Sequence, residues 1–256
     1  MTLAAQCCRL ARFQASLHTF AMFRTHPRIE RMALPDGASC YIVDDALDEP
    51  QRWVRLAVRE QARFERAAHN AYPGLELRMP AAVTVHLEDF FNQHLRTALG
   101  ARRTLRSHSR MALVTLAEHE LQPRQWICHR DRWVSEPEQC IAASVLYLFE
   151  DPALGGTNFF RARRSATETA QLVHDSGTED GPAFAARYGI RPGYLTESND
   201  WFEKIASVPA RYNRLIVYDG DLYHCADIRA PERMVADPAQ GRLTLNGFFT
   251  CRRAAG

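Results

Sequence analysis

The stretch Gly241-Arg-Leu-Thr-Leu-Asn-Gly-Phe-Phe249 decides the fold, because its side chains alternate in character with the period of a β-strand. One face carries a mostly polar set: Arg242, Thr244, Asn246 and Phe248. The other face is apolar: Leu243, Leu245 and Phe249. We therefore predict a strand that turns a polar lining toward a cavity and an apolar backing toward a core.

Further short apolar or alternating runs, separated by turn signals, precede this strand. Together with it they cover 111–118, 125–133, 141–149, 157–161, 213–219 and 242–250. Two helical patterns come earlier in the chain, one from about Asp48 to Ala68 and one from Pro80 to Leu99, where Gly100 ends it. Because strands and helices do not alternate, we expect an antiparallel sandwich or barrel backed by helices, not a doubly wound sheet.

The domain organisation follows from these patterns. We expect a basic N-terminal arm over 1–31 and one domain over 32–256, with helical support at 32–110, a β core at 111–250 and an insertion or lid at 162–212. The first 29 residues contain four arginines and no acid, a pattern shared by mitochondrial transit peptides and ordinary basic arms. We favour the ordinary arm, and we expect any disorder to be confined to the ends of the chain.

Composition excludes several classes of protein. Hydrophobic residues make up 46% and charged residues 24% of the 256 residues, which is typical of a globular protein. A net charge of +2 gives no electrostatic footprint for nucleic acid. The seven cysteines form no CxxC pair, which argues against a secreted disulfide framework and favours the cytoplasm. No apolar run is long enough to predict a membrane span.

Three residues have the chemistry of a metal site. His129 and Asp131 stand two apart, so that an extended chain projects both side chains to one face. His224 follows the apolar run Leu215–Tyr218 much later in the chain. Two imidazoles and one carboxylate compose the facial triad of non-haem Fe(II) oxygenases, which leaves coordination positions open for other ligands. His129, Asp131 and His224 are therefore our candidate metal ligands.

Arg242 is a candidate anion-binding residue. An arginine that begins a buried strand is costly unless an anion compensates its charge. A 2-oxo acid that chelates iron directs its distal carboxylate inward, and the planar guanidinium suits a carboxylate better than lysine does. The sequence thus predicts that Arg242 binds the far end of an anionic cosubstrate.

The order of these motifs resembles the Fe(II)/2-oxoglutarate-dependent dioxygenases, most closely their prolyl 4-hydroxylase-like branch. The resemblance covers about 111–250 and rests on His129-x-Asp131, Val145–Leu148, Gly155–Phe160, Asn213–Val217 with His224, and Arg242–Thr244. It implies an α+β, mainly β fold: a double-stranded β-helix (jelly-roll, cupin-like) core that N-terminal helices buttress.

The resemblance also implies roles for single residues. Iron would bind His129, Asp131 and His224, and Arg242 would bind the 2-oxoglutarate carboxylate. Tyr147 and Thr244 match residues whose hydroxyls often contact the cosubstrate, and the glycine pair at 155–156 matches a structural turn. Where the branch often has another tyrosine, about ten residues before the metal histidine, this chain has Glu118 and His119. We therefore expect a residue from elsewhere to fill that role.

The function implied is hydroxylation of a C–H bond of an amino acid, peptide or other small molecule, with O2 and 2-oxoglutarate consumed and succinate and CO2 released. Two other interpretations stay open. A cupin-like zinc hydrolase or isomerase could use the same three ligands without needing Arg242. A non-catalytic binding protein on the same barrel would need none of the ligands. The sequence predicts no nucleic-acid or membrane partner and leaves the oligomeric state open.

Overall fold

The computed structural model describes residues 23–66, 72–131 and 136–254. Most of the predicted arm, residues 1–22, lies outside the described residues. Its last part does not behave as an arm, because the first strand begins at Ile29 and pairs with the strand that follows it. No helix in the described ranges combines the length and apolar character needed to span a membrane.

Ten strands form two antiparallel sheets in the described part of the chain. Their bounds are β1 (Ile29–Ala33), β2 (Ser39–Val43), β3 (Gly74–Arg78), β4 (Ala101–Val114), β5 (Gln139–Tyr147), β6 (Thr157–Ala162), β7 (Phe202–Val208), β8 (Leu215–Asp219), β9 (Tyr223–Ala226) and β10 (Leu243–Arg253). The large sheet has the order β1-β2-β8-β5-β10-β4-β3, and the small sheet has the order β7-β6-β9. An isolated bridge between His129 and His224 extends the small sheet beyond β9.

The two sheets enclose one apolar core. Phe159 of the small sheet packs edge-on against Tyr218 of the large sheet, with ring centroids 5.0 Å apart. The same core contains Ala143 and Ile216 from β5 and β8. The two sheets thus form facing antiparallel layers, and the chain alternates between them over β8, β9 and β10. The expected double-stranded β-helix is confirmed.

Four α-helices accompany the sheets in the described ranges: α1 (Pro50–Arg59), α2 (Ala81–His94), α3 (Ala166–Asp175) and α4 (Gly181–Tyr188). The first two pack on the outer face of the large sheet, as predicted. Phe91 of α2 stacks on Phe249 of β10 at 4.2 Å between ring centroids. Leu243 and Leu245 belong to the same outer core, so the predicted apolar backing of β10 is confirmed. The helices therefore cover the large sheet on the side opposite the small sheet.

Several predicted boundaries move. The first helix ends at Arg59, because a short 3-10 turn follows and Glu65 then bridges to Glu76 of β3. Segment 125–133 is not a regular strand: among its described residues only His129 forms a bridge. Block 162–212 contains α3 and α4, but its last part is β7, which pairs with β6 and so belongs to the small sheet.

Candidate metal centre and the cavity around it

Backbone hydrogen bonds bring the three predicted metal ligands together. His129 and His224 exchange reciprocal bonds, with N to O distances of 3.0 and 2.9 Å. The N–H of Asp131 donates to the carbonyl of Gly220 at 2.8 Å, which ties the same segment to the turn between β8 and β9. Residues nearly a hundred positions apart are thereby held opposite one another at the rim of the small sheet.

The ligand atoms converge on one point. Asp131 Oδ1 lies 3.6 Å from His129 Nε2, and Asp131 Oδ2 lies 3.3 Å from His224 Nε2. One donor atom from each residue lies within 4.8 Å of the others, which suits a single metal ion. His224 Nδ1 donates to the carbonyl of Leu222 at 2.9 Å, and this bond leaves Nε2 free to bind metal. The predicted His-Asp-His metal site is present.

Burial and neighbouring charges shift the pKa values of the three ligand residues in different directions. Burial and the nearby His224 lower the pKa of His129 to about 4. Burial would lower the pKa of His224 as well, but the charge of Asp131 and its hydrogen bond raise it above the usual value. Burial would raise the pKa of Asp131, yet the charge and hydrogen bond of His224 hold it below its usual value. His224 thus holds a proton to higher pH than His129 does, and a divalent ion would compete with that proton.

Arg242 is buried next to the glycine turn that the sequence singles out. Its Nε donates to the carbonyl of Gly155 at 3.0 Å and its Nη2 to the carbonyl of Gly156 at 2.7 Å. A Cβ at Gly155 would lie 1.9 Å from the carbonyl oxygen of Asp227, and a Cβ at Gly156 would lie 1.9 Å from that of Val208. The two glycines are therefore needed for close backbone packing, and their carbonyls also orient the guanidinium.

The charge of Arg242 has no counterion within the described ranges. No carboxylate among these residues lies within ion-pair distance of its guanidinium, although the side chain is only 3% exposed. The rings of Phe149 and Tyr147 lie 5.7 and 5.9 Å from its guanidinium carbon. A buried, uncompensated guanidinium is unfavourable, so this position is suited to an anionic ligand.

The metal triad and Arg242 line the same cavity, which encloses about 760 Å³ including the part open to solvent. The whole predicted polar face lines it: Arg242 immediately before β10, and Thr244, Asn246 and Phe248 on that strand. The Oδ1 atom of Asn246 is buried and has no hydrogen-bond partner among the described residues. A ligand donor could therefore satisfy it.

The two predicted hydroxyl contacts differ in position. Thr244 lines the cavity, and its hydroxyl lies 3.4 Å from the carbonyl of Ala112. Tyr147 does not line the cavity; its hydroxyl lies 2.8 Å from Thr157 Oγ1, and Thr157 does. Burial raises the pKa of Tyr147 to about 12. The contact of each residue with a cosubstrate stays a prediction.

Sequence reasoning missed two tyrosines of this cavity. Tyr72 lines it close to Thr244, and burial raises the pKa of its hydroxyl. Tyr194 also lines the cavity and donates to the carbonyl of Leu116 at 2.6 Å. Neither tyrosine lies in a strand, and neither stands at a fixed spacing from the ligands, so only the aromatic character of their segments was visible.

Solved structures with a similar fold include a prolyl-4-hydroxylase from Pseudomonas putida, at 16% identity, with 96% of this chain and 100% of that chain covered and a TM-score of 0.40. A second is the epimerase SnoN from nogalamycin biosynthesis, in complex with Fe3+, alpha ketoglutarate and nogalamycin RO. Its identity is 12%, its coverage 85% of this chain and 82% of that chain, and its TM-score 0.42.

A third is HygX from Streptomyces hygroscopicus with nickel, 2-oxoglutarate and hygromycin B bound, at 12% identity, with 83% of this chain and 82% of that chain covered and a TM-score of 0.40. The comparison with curated proteins gives no match. A family model described as "Family of unknown function (DUF6445)" matches residues 25–249, which is most of the chain. The chain therefore belongs to the DUF6445 family.

Proposed function

We propose that this chain is an Fe(II)- and 2-oxoglutarate-dependent oxygenase that hydroxylates a C–H bond of an amino acid, peptide or other small molecule. One observation carries the proposal: the metal triad and the buried, unpaired Arg242 line one cavity. When bound, iron and 2-oxoglutarate would supply the oxidation by O2, with succinate and CO2 as coproducts. The protein residues would supply binding, orientation and electrostatics.

The donor set supports Fe(II) as the resident ion. Two imidazole nitrogens and one carboxylate provide three protein ligands, which leaves open positions for a chelating cosubstrate and for oxygen. The side chain of His129 is 34% exposed while those of Asp131 and His224 are 7% exposed, so the site is accessible from one side. Zinc would also accept three such ligands, but a zinc hydrolase would not need a buried cation in the same cavity.

The surroundings of Arg242 support an anionic cosubstrate with a carboxylate at its far end. Gly155 and Gly156 use only the Nε and Nη2 atoms of the guanidinium. Its Nη1 makes no hydrogen bond within the described ranges, so it remains available to a carboxylate. The hydroxyls of Thr244 and Tyr72 lie in the same part of the cavity and could donate to the other carboxylate oxygen.

Apolar side chains in the walls of the cavity would keep water away from the reacting groups. Phe248, Tyr218 and Leu195 contribute apolar surface around the metal triad. His224 packs against the ring of Tyr218 at 4.8 Å between centroids, which fixes the orientation of the imidazole. A low-dielectric surrounding strengthens the interactions of the metal ion and Arg242 with their ligands.

The test is oxygen-dependent succinate release by the purified chain, stripped of metal and reloaded with Fe(II) and 2-oxoglutarate. We expect succinate only when iron, 2-oxoglutarate and oxygen are all present, and we expect His129→Ala to abolish it. His174→Ala, which changes an exposed histidine on α3, is the matched control and should leave the rate unchanged. Hydrolytic activity with zinc, without any succinate from the iron-loaded chain, would contradict the proposal.

A further inference from the structure

Four basic residues lie side by side on β3 and β4, and we name Arg78, Arg106, His108 and Arg110 the basic face. Arg78 stands directly opposite Arg110 in the register of β3 and β4. On the other side of β4, Asn246, Phe248 and Thr250 of β10 stand opposite Arg110, His108 and Arg106. The four basic residues thus form one contiguous set across the neighbouring strands β3 and β4.

The basic face lies on the cavity side of the large sheet. Residues opposite each other in an antiparallel register share a face of the sheet. Asn246 and Phe248 line the cavity of the metal triad, and so does Arg110 itself. The intervening Ser107 points the other way, since its hydroxyl donates to Glu88 of α2 at 2.5 Å. The basic face therefore continues the cavity wall outward from the metal site.

The charges of Arg78 and Arg106 are unbalanced within the described ranges. Arg110 pairs with Glu76 at 2.9 Å. No carboxylate within the described ranges lies within ion-pair distance of Arg78, Arg106 or His108. Partial desolvation and the charges of Arg110 and Arg78 lower the pKa of His108, which is consistent with close proximity, while Asp131 raises it. Like charges directly opposite across strands destabilise a sheet. Arg110 has Glu76, whereas Arg78 opposite it has no carboxylate within the described ranges, so an external anion beside Arg78 would be favourable.

The proposed metal and cosubstrate cannot provide that anion. The two carboxylates of 2-oxoglutarate and that of Asp131 would balance the charges of a divalent ion and Arg242. No negative charge would then remain for the basic face. The basic face is packed directly against the cavity wall, because His108 stacks on Phe248 at 4.7 Å and Arg110 lies over the same ring at 4.9 Å. An elongated ligand could therefore extend from the basic face to the metal triad.

We propose that the basic face binds an oxyanion group of the substrate, a carboxylate, phosphate or sulfate of a small molecule, and so presents a carbon beyond that group to the metal triad. The inference rests on the proposed oxygenase function and adds the charge class of its substrate. Arg78 and Arg106 would bind the oxyanion directly, and Arg110 would orient it from the inner edge.

The first test measures anion binding without catalysis, with inorganic sulfate as the probe. Sulfate is titrated calorimetrically at constant ionic strength into the chain loaded with zinc and 2-oxoglutarate, and also into the metal-free chain. We expect the double variant Arg78→Gln/Arg106→Gln to weaken sulfate binding at least tenfold. Arg55→Gln, an exposed arginine of α1 on the opposite side of the large sheet, is the matched control and should bind like the wild type. Equal affinity in the double variant, or no binding to wild type, would overturn the inference.

The second test uses turnover and separates the two proposals. Succinate release is measured with carboxylic acids and with the primary amides of the same skeletons. We expect kcat/KM to be at least tenfold higher for the acids, and we expect the double variant to lose this preference while the KM for 2-oxoglutarate is unchanged. Equal rates with acids and amides would overturn the inference alone. Absence of succinate from the iron-loaded wild type would contradict the proposed oxygenase function. The sulfate titration would then test anion binding at the basic face independently.

Discussion

At the scale of the residue, Arg242 connects fold and function most clearly. A guanidinium that is 3% exposed, held by two carbonyls and without a carboxylate in the described ranges, raises the free energy of the ligand-free protein. An anionic cosubstrate would relieve this cost when it binds. Sequence alone predicted the residue because an arginine that begins an alternating, apolar-backed strand is chemically unusual. It did not predict the carbonyls of Gly155 and Gly156 as its partners.

Replacing Arg242 by leucine should weaken 2-oxoglutarate binding at least about 30-fold, or about 2 kcal/mol, because the variant leaves the cosubstrate carboxylate buried without its partner. The dissociation constant can be measured by calorimetry on the zinc-loaded chain. Arg252→Leu is the matched control near the far end of β10, since Arg252 is exposed and its ion pair within the described ranges is with Glu138 at 3.8 Å. If Arg242→Leu binds 2-oxoglutarate as tightly as the wild type does, Arg242 does not bind the cosubstrate.

Metal affinity should depend on pH through one proton. Burial would lower the pKa of His224, but Asp131 raises it above its usual value. Burial and His224 lower the pKa of His129 to about 4. Metal binding therefore displaces a proton from His224 alone, and the affinity should fall about tenfold per pH unit below the pKa of His224. Competition between the protein and a chelating dye for zinc, from pH 5 to pH 8, measures the slope. A hundredfold fall per unit would mean that both imidazoles titrate together.

At the scale of the element, β10 contributes to both faces of the large sheet: one face lines the cavity and the other packs in the core. Its alternation was sufficient to predict the cavity face and the core face, because side chains on a strand repeat with period two. Segment 125–133 shows the limit of such reasoning: its residues have strand character, but in its described part only His129 forms a β-bridge. Edge strands β1 and β3 were also missed, because their pairing depends on tertiary contacts that short, half-exposed runs do not reveal.

The contact between α2 and β10 should be important for stability. Phe91 is 1% exposed and stacks on Phe249, so Phe91→Ala should lower the free energy of unfolding by about 3–5 kcal/mol. Val85→Ala on the same helix is the matched control, because Val85 is 51% exposed and should change stability by no more than about 0.5 kcal/mol. Urea denaturation of the three proteins measures both. Similar losses for the two variants would argue against this packing.

At the scale of the whole molecule, the fold gathers one site from distant segments. The sequence was sufficient for His129, Asp131 and His224, since their chemistry and order are distinctive. Tyr72 and Tyr194 could not be predicted, because they enter the cavity from irregular segments whose positions depend on packing. The same holds for Arg78, which lies on the cavity side of the large sheet because β3 pairs with β4 in this register.

The central claim is that His129, Asp131 and His224 bind one Fe(II) ion to which 2-oxoglutarate adds as a chelate beside Arg242. Anaerobic titration of the metal-free chain with Fe(II) and then 2-oxoglutarate tests it most directly by visible absorption. We predict a weak charge-transfer band that requires both additions, saturates at one iron per chain and disappears in Asp131→Ala. A wild-type chain that binds zinc tightly but develops no band with iron and 2-oxoglutarate would contradict the account.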